Sequence, residues 1–231
     1  MNDLEELILE GVCKVHKEYA YVSDGWWLYH APESFIQSHL ASHIAHKGGF
    51  CVFPECSPKR WKASIDENNG VKPIGRPFRK HDKKRFDLVI WRKKVERPRA
   101  ILEIKRAVST GPLLEDVRKI LKYKNEAQSY GIRTAYILVY SEAKRGKTKK
   151  ITGKPTLERR FVEWVTELNK ICKNKAKALC VSWETHEPRG QHEESRWAWG
   201  VALYRLKYAR NEKSKRTASR QLSLVRSRKA A

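Results

Sequence analysis

The chain has no apolar run approaching the roughly 18 residues that a membrane-spanning helix needs, so no transmembrane helix is expected. Its opening residues include Asp3, Glu5 and Glu6 instead of the positive charge that begins a secretory leader, so no leader is expected either. Cysteine is sparse: Cys13, Cys51, Cys56, Cys172 and Cys180 are scattered and form no C-x-x-C pair. An odd, dispersed set argues against a disulfide framework and for reduced thiols in a cytoplasmic setting. Cys51 and Cys56 suggest zinc ligands only weakly, because no second pair follows them. Helix-turn-helix and zinc-finger patterns are also missing, so no separate sequence-reading module is indicated.

Acid is the other shortage. Over 231 residues, 26 Asp+Glu face 49 Lys+Arg, which leaves a formal charge of +23. A surplus of that size points to a polyanionic partner, since each phosphate contact releases counterions. Ribosomal and chromatin-packing proteins share the balance but rarely carry so many aromatic residues. Eight Trp in a chain that is 40% hydrophobic indicate a folded core with basic appendages. The length suits one decorated domain or two small ones.

Against that background, acids set into apolar strands stand out. Phe86-Asp87-Leu88-Val89-Ile90-Trp91 and Ala100-Ile101-Leu102-Glu103-Ile104-Lys105 are short runs rich in β-branched and aromatic residues, and each predicts a strand. The charged connector Arg92 to Arg99, with Pro98, predicts a turn. Side chains alternate across a strand, so Glu103 and Lys105 share one face while Leu102 and Ile104 take the other. Two carboxylates and an ammonium in an apolar sheet need partners or a cation. Hard ions such as Mg²⁺ take oxygen ligands of this kind and can polarise a phosphodiester and deliver a water nucleophile. The plainer reading of an E-x-K tripeptide alone is a solvated strand face carrying a cross-strand ion pair.

The pattern of Asp87 on one strand and Glu103-Ile104-Lys105 on the next resembles the PD-(D/E)xK nuclease superfamily. Phe86 stands where the superfamily's name has proline, a common departure. The surrounding elements agree in order. A helix is predicted from Pro32, with Ile36, Leu40 and Ile44 as its apolar stripe, ending at Gly48-Gly49. Phe50 to Phe53 is the next strand; a helix follows Gly111-Pro112 to about Tyr130, with Leu114, Val117, Ile120 and Leu121 inward and Lys119 and Lys122 outward; and Ala135 to Tyr140 is a central strand. The resemblance, over roughly residues 31 to 141, implies an α/β fold (an α+β mixed sheet) with a restriction-endonuclease-like αβββαβ core.

It also implies Mg²⁺-dependent hydrolysis of DNA, with Mn²⁺ able to substitute. Asp87 and Glu103 would hold the ion with the carbonyl of Ile104, and Lys105 would orient the water or stabilise the charge growing on the phosphate. Glu33, in the first turn of the preceding helix, matches the extra carboxylate of many members, although the helix dipole also favours an acid there. Glu55, just past the first strand, is a further metal candidate. DNA is the expected partner ahead of RNA, no membrane is expected, and a homodimer or larger DNA-processing complex fits the superfamily. Restriction, repair, recombination and phage or mobile-element endonucleases all share the core. The alternative is a non-cleaving nucleic-acid-binding protein, or a subunit of a larger complex, on the same fold.

The flanking segments supply the rest. Residues 2 to 18 read as an amphipathic helix on Leu4, Leu7, Ile8 and Val12, and residues 19 to 30, with Tyr19, Tyr21, Trp26, Trp27 and Tyr29, as an aromatic hairpin or packing patch, a platform on which bases or sugars stack being the sharper option. Residues 1–30 are thus expected to pack on a domain spanning 31–208. His39, His43 and His46 mark a polar helix face near phosphates more than a zinc site, because the Glu of H-E-x-x-H is missing. The long polar segment 57–85 holds Arg76, Arg79, Lys80, Lys83, Lys84 and Arg85, and 144–154 holds Lys147, Lys149 and Lys150. Together with Lys119 and Lys122 these are the candidate phosphate contacts. Pro155 opens a helix with Leu157, Phe161, Trp164, Leu168 and Ile171 inward, and two strands, 178–183 and 197–206, extend the sheet. The acidic loop between them, Glu184 to Ser195, holds His186 and His192, read as a solvated loop ahead of a catalytic histidine. Residues 209–231 read as a basic, disordered tail.

Overall fold

Two strands that read as unbroken apolar runs lie inside a six-stranded mixed sheet. In the computed structural model the described residues are 3–57, 85–93, 97–129, 131–144, 153–186 and 197–209. The strands are β1 (Phe50–Cys56), β2 (Phe86–Arg92), β3 (Arg97–Arg106), β4 (Thr134–Lys144), β5 (Ala176–His186) and β6 (Trp197–Tyr208). Their order is β1-β2-β3-β4-β6-β5. Only β3 and β4 pair in parallel; the other pairs are antiparallel. Helices are α1 (Asp3–Val22), α2 (Glu33–Lys47), α3 (Gly111–Lys122), α4 (Lys124–Ser129) and α5 (Gly153–Cys172). The molecule is therefore α+β, and from Glu33 to Lys144 it follows the expected order of helix, three strands, helix and strand, with α4 added before β4.

Helices cover both sheet faces, which is why β2 and β4 lack polar alternation. On one face Val89, Ile101, Ile137 and Val139 pack with Leu113, Val117 and Ile120 of α3 and Leu157, Phe161 and Leu168 of α5. On the other, Leu88, Ile90, Leu102, Ile104 and Leu138 pack with Ile8 and Val12 of α1 and Ile36, Leu40 and Ile44 of α2. Alternation along β3 therefore sends Glu103 and Lys105 towards the α3 side. Glu5 ties α1 to the sheet: fully buried, its Oε1 lies 2.8 Å from Arg205 Nη1 and accepts from the Tyr136 hydroxyl at 3.2 Å.

Some boundaries differ from the sequence reading. No hairpin forms over 19–30. Instead α1 runs on to Val22, Asp24 (φ 55°) and Gly25 (φ 86°) turn the chain, and Leu28–His30 make a 3-10 turn. Gly25 suits that left-handed position because it has no Cβ to clash. The helix after Gly111 breaks at Tyr123 instead of continuing to Tyr130. β1 and β5 are longer than read, so Glu55 and His186 belong to strands. Arg76, Arg79, Lys80, Lys83, Lys84, Lys147, Lys149, Lys150, His192 and the tail from 210 lie outside the described residues.

Candidate active site

The start of β2 and the end of β3 meet where the antiparallel ladder between them stops at Leu88–Leu102. One step further the Ile104 N–H turns to a side chain and donates to Asp87 Oδ2 at 2.6 Å. The carbonyl of Asp87 accepts from Gln37 Nε2 of α2, also at 2.6 Å. Asp87 is thereby fixed at both its backbone and its carboxylate.

Glu103 is 1% exposed. Its Oε2 lies 2.6 Å from Lys119 Nζ, while its Oε1 is buried with no hydrogen-bond partner. Burial first, and then the neighbouring Asp87 charge, push the Glu103 carboxyl well above the usual carboxylate range. Asp87 is raised as well, by burial, against the lowering effect of the Ile104 N–H.

Lys105 reaches Asp116 Oδ2 at 3.7 Å and Glu33 Oε1 at 4.0 Å. Burial alone would lower its pKa, but the carboxylates of Asp116, Glu33, Asp87 and Glu103 outweigh it and hold the ammonium above its ordinary value. Glu33, half exposed at the first residue of α2, accepts from the Arg106 N–H at 3.2 Å. The Tyr140 hydroxyl on β4 is buried with no hydrogen-bond partner, and burial followed by the Glu33 charge raises its pKa. Two lysines, four carboxylates and a phenol thus gather around the carboxyl-terminal part of the parallel ladder between β3 and β4, the side on which open α/β sheets place their ligands.

Comparison with family models, with curated proteins and with solved structures gives no match. What the site can do rests on its own chemistry.

Three expectations need correction. Lys119 does not point outwards: besides Glu103 it contacts Asp116 Oδ1 at 3.6 Å and donates to the Arg85 carbonyl at 3.1 Å. The α3 stripe is rotated relative to the sequence reading, so that Leu113 is buried while Leu114 and Leu121 are only partly so. That rotation also brings in Asp116, a buried acid outside the stripe drawn from the sequence. Its carboxyl is raised by burial against Lys105 and Lys119. Glu55 does not follow β1 but sits within it at φ 50°, accepting from Gln37 Nε2 at 3.2 Å and lying 3.9 Å from Arg85. It joins the acid cluster through Gln37. Lys122, in contrast, is exposed as expected, over the Tyr123 ring.

On the histidine face of α2, His43 is buried while His39 is half-buried and His46 is exposed. His43 is 4% exposed, with Nε2 3.8 Å from Glu10 Oε2. With His39, His46, Lys14 and Glu18 it lines a cleft of about 160 Å³ between α1 and α2. The five cysteines form no disulfide.

The donor set fits a hard divalent ion. Asp87, Glu103 and Asp116 supply carboxylate oxygens, and two of them, Glu103 Oε1 and Asp116 Oδ2, are buried without a hydrogen-bond donor. As the side chains stand, no three His, Cys, Asp or Glu among the described residues surround one coordination point. Lys119 supplies the positive charge beside Glu103.

Proposed function

We propose that the chain is a Mg²⁺-dependent nuclease of the PD-(D/E)xK type, on a restriction-endonuclease-like core, that hydrolyses phosphodiester bonds of DNA. One observation carries the reading: Asp87 and Glu103, on adjacent strands, lie close enough that the Asp87 charge raises the Glu103 carboxyl and both hold up the half-buried Lys105 ammonium, while buried Glu103 keeps an unsatisfied oxygen. A protein that only binds nucleic acid has little reason to bury like charges together.

Asp87, Glu103 and the Ile104 carbonyl would hold the ion, which when bound polarises the phosphodiester and acidifies an attacking water. The chain's own residues do the remainder. Lys105, held between Asp116 and Glu33, orients that water or meets the charge growing on the phosphate. Gln37 keeps β2 in register with α2, so that Asp87 stays on Ile104. Exposed Arg85, whose carbonyl accepts from Lys119 beside the acids, and exposed Lys122 on the same helix as Lys119 would serve as phosphate contacts, within a chain of net charge +23.

Lys105→Ala tests this division of labour. Cleavage should fall by about a hundred- to a thousandfold, the scale of losing a transition-state charge partner, while gel-shift affinity stays within a few-fold of wild type. Equal loss of binding and cleavage would contradict it. The 2.6 Å pair of Lys119 with Glu103 favours a second reading, a non-cleaving binding protein, because it neutralises the acid without a metal. Tight DNA binding with no cutting in Mg²⁺ or Mn²⁺ would select that reading.

A further inference from the structure

A second cluster of ligand-type side chains lies on the far side of the sheet. Cys13 and His16, three residues apart on α1, share a helix face. Glu184 and His186, two apart on β5, share a strand face. β5 is the edge strand, separated from β3 by β4 and β6, so this cluster is distinct from the acid pocket.

The two pairs meet. The Cys13 thiol donates to Glu184, with Sγ 3.5 Å from Oε2 and 3.7 Å from Oε1. His186 Nε2 lies 3.6 Å from the same Oε2. The His16 and His186 rings are 5.8 Å apart, each 4.3 Å from the Trp199 indole, and His16 Nδ1 is buried with no hydrogen-bond partner.

We propose that Cys13, His16, Glu184 and His186 form a Zn²⁺ site that clasps α1 to the edge strand β5. Thiolate, imidazole and carboxylate are the ligands zinc takes, usually four in a tetrahedron. Ligand bonds of about 2.0–2.3 Å set neighbouring donor atoms about 3.3–3.8 Å apart in that geometry. The Sγ–Oε2 and Oε2–Nε2 separations of 3.5 and 3.6 Å fall in that range. The thiol and imidazoles select zinc over the hard ion suited to the acid pocket. The four side chains do not enclose a coordination point as they stand. Loading would require the two rings to turn about their broad terminal torsions, so that a nitrogen of His16 could reach the ion. As the sulfur–zinc bond forms, the thiol proton goes to solvent, and both imidazoles bind in the neutral form.

The test is a Co²⁺ titration of the EDTA-treated full-length chain, followed by Zn²⁺ displacement. One equivalent should produce a thiolate-to-cobalt charge-transfer band, which Zn²⁺ removes stoichiometrically. Cys13→Ser should abolish the band and His186→Ala weaken binding by at least about tenfold, the loss that even an outer partner brings. Cys180→Ser and Asp87→Ala should leave the band unchanged, so the zinc site and the nuclease reading fail separately. A circular-dichroism melt of each variant in EDTA excludes unfolding as the cause; if Cys13→Ser unfolds, His16→Asn with the thiol intact replaces it and should weaken binding in the same way. No band, or a band that survives Cys13→Ser, overturns the proposal.

Discussion

Lys119 on α3 and Glu103 on β3 form an ion pair at 2.6 Å beneath the surface of the molecule. Removing one partner from such a pair strands the other charge, which costs about 3–5 kcal/mol. Lys119→Met should therefore lower stability in EDTA by about 3 kcal/mol in a urea titration. Mg²⁺ should recover part of that loss, because in the proposed site the ion replaces the missing charge beside Glu103. Recovery by Mg²⁺ no larger than in wild type would show that the ion does not bind there.

The raised carboxyls give a pH signature. Burial raises the carboxyls of Glu103, Asp87 and Asp116 in the folded chain, and Glu103 well above its ordinary value. The folded state thus holds protons that the unfolded state has already lost, and their share of stability declines as pH rises from about 4 through the folded values. Glu103→Gln removes the largest part of that decline. Compared with wild type in EDTA, its Tm should gain more near pH 8 than near pH 5. A difference in Tm that does not change with pH would argue against a strained acid.

Gln37 positions Asp87 and Glu55 together, donating at 2.6 and 3.2 Å. Gln37→Ala should raise the Mg²⁺ concentration for half-maximal cleavage by roughly tenfold, as loss of an outer-shell partner does, with a smaller change in DNA affinity. Unchanged Mg²⁺ dependence would reduce Gln37 to a packing residue.

Away from the site, Glu5 anchors α1 through Arg205 and Tyr136. Glu5→Ala should cost about 3 kcal/mol by leaving Arg205 unpaired, read as a fall in denaturation midpoint. A change below about 0.5 kcal/mol would place the pair among ordinary surface bridges.

Much of the core was legible because its physics is local. Unbroken apolar runs marked β2 and β4, and strand alternation alone put Glu103 and Lys105 on one face. Ile36, Leu40 and Ile44 marked α2. What escaped depended on contacts between distant segments. Leu113 and Leu114 are adjacent leucines, so the α3 stripe could be drawn in either phase, and the wrong phase hid Asp116 and sent Lys119 outwards. Glu5 sits where first-turn acids are normally solvated, and its meeting with Arg205 and Tyr136 across the fold accounts for its burial. Trp26, Trp27 and Tyr29 crowd the sequence as a hairpin would, yet they line a helix exit and a 3-10 turn. Cys13 and Glu184 carry no spacing signal at all, since only the fold brings α1 and β5 together.

The central claim is metal-dependent cleavage through Asp87. Supercoiled plasmid and linear, branched and single-stranded DNA, incubated with Mg²⁺, Mn²⁺ or EDTA, measure it directly when wild type is set beside Asp87→Ala. The account predicts cutting with either metal, none in EDTA, and none by a variant that still binds DNA. Cutting that persists in Asp87→Ala, or wild-type protein that binds every substrate and cuts none in either metal, would contradict it.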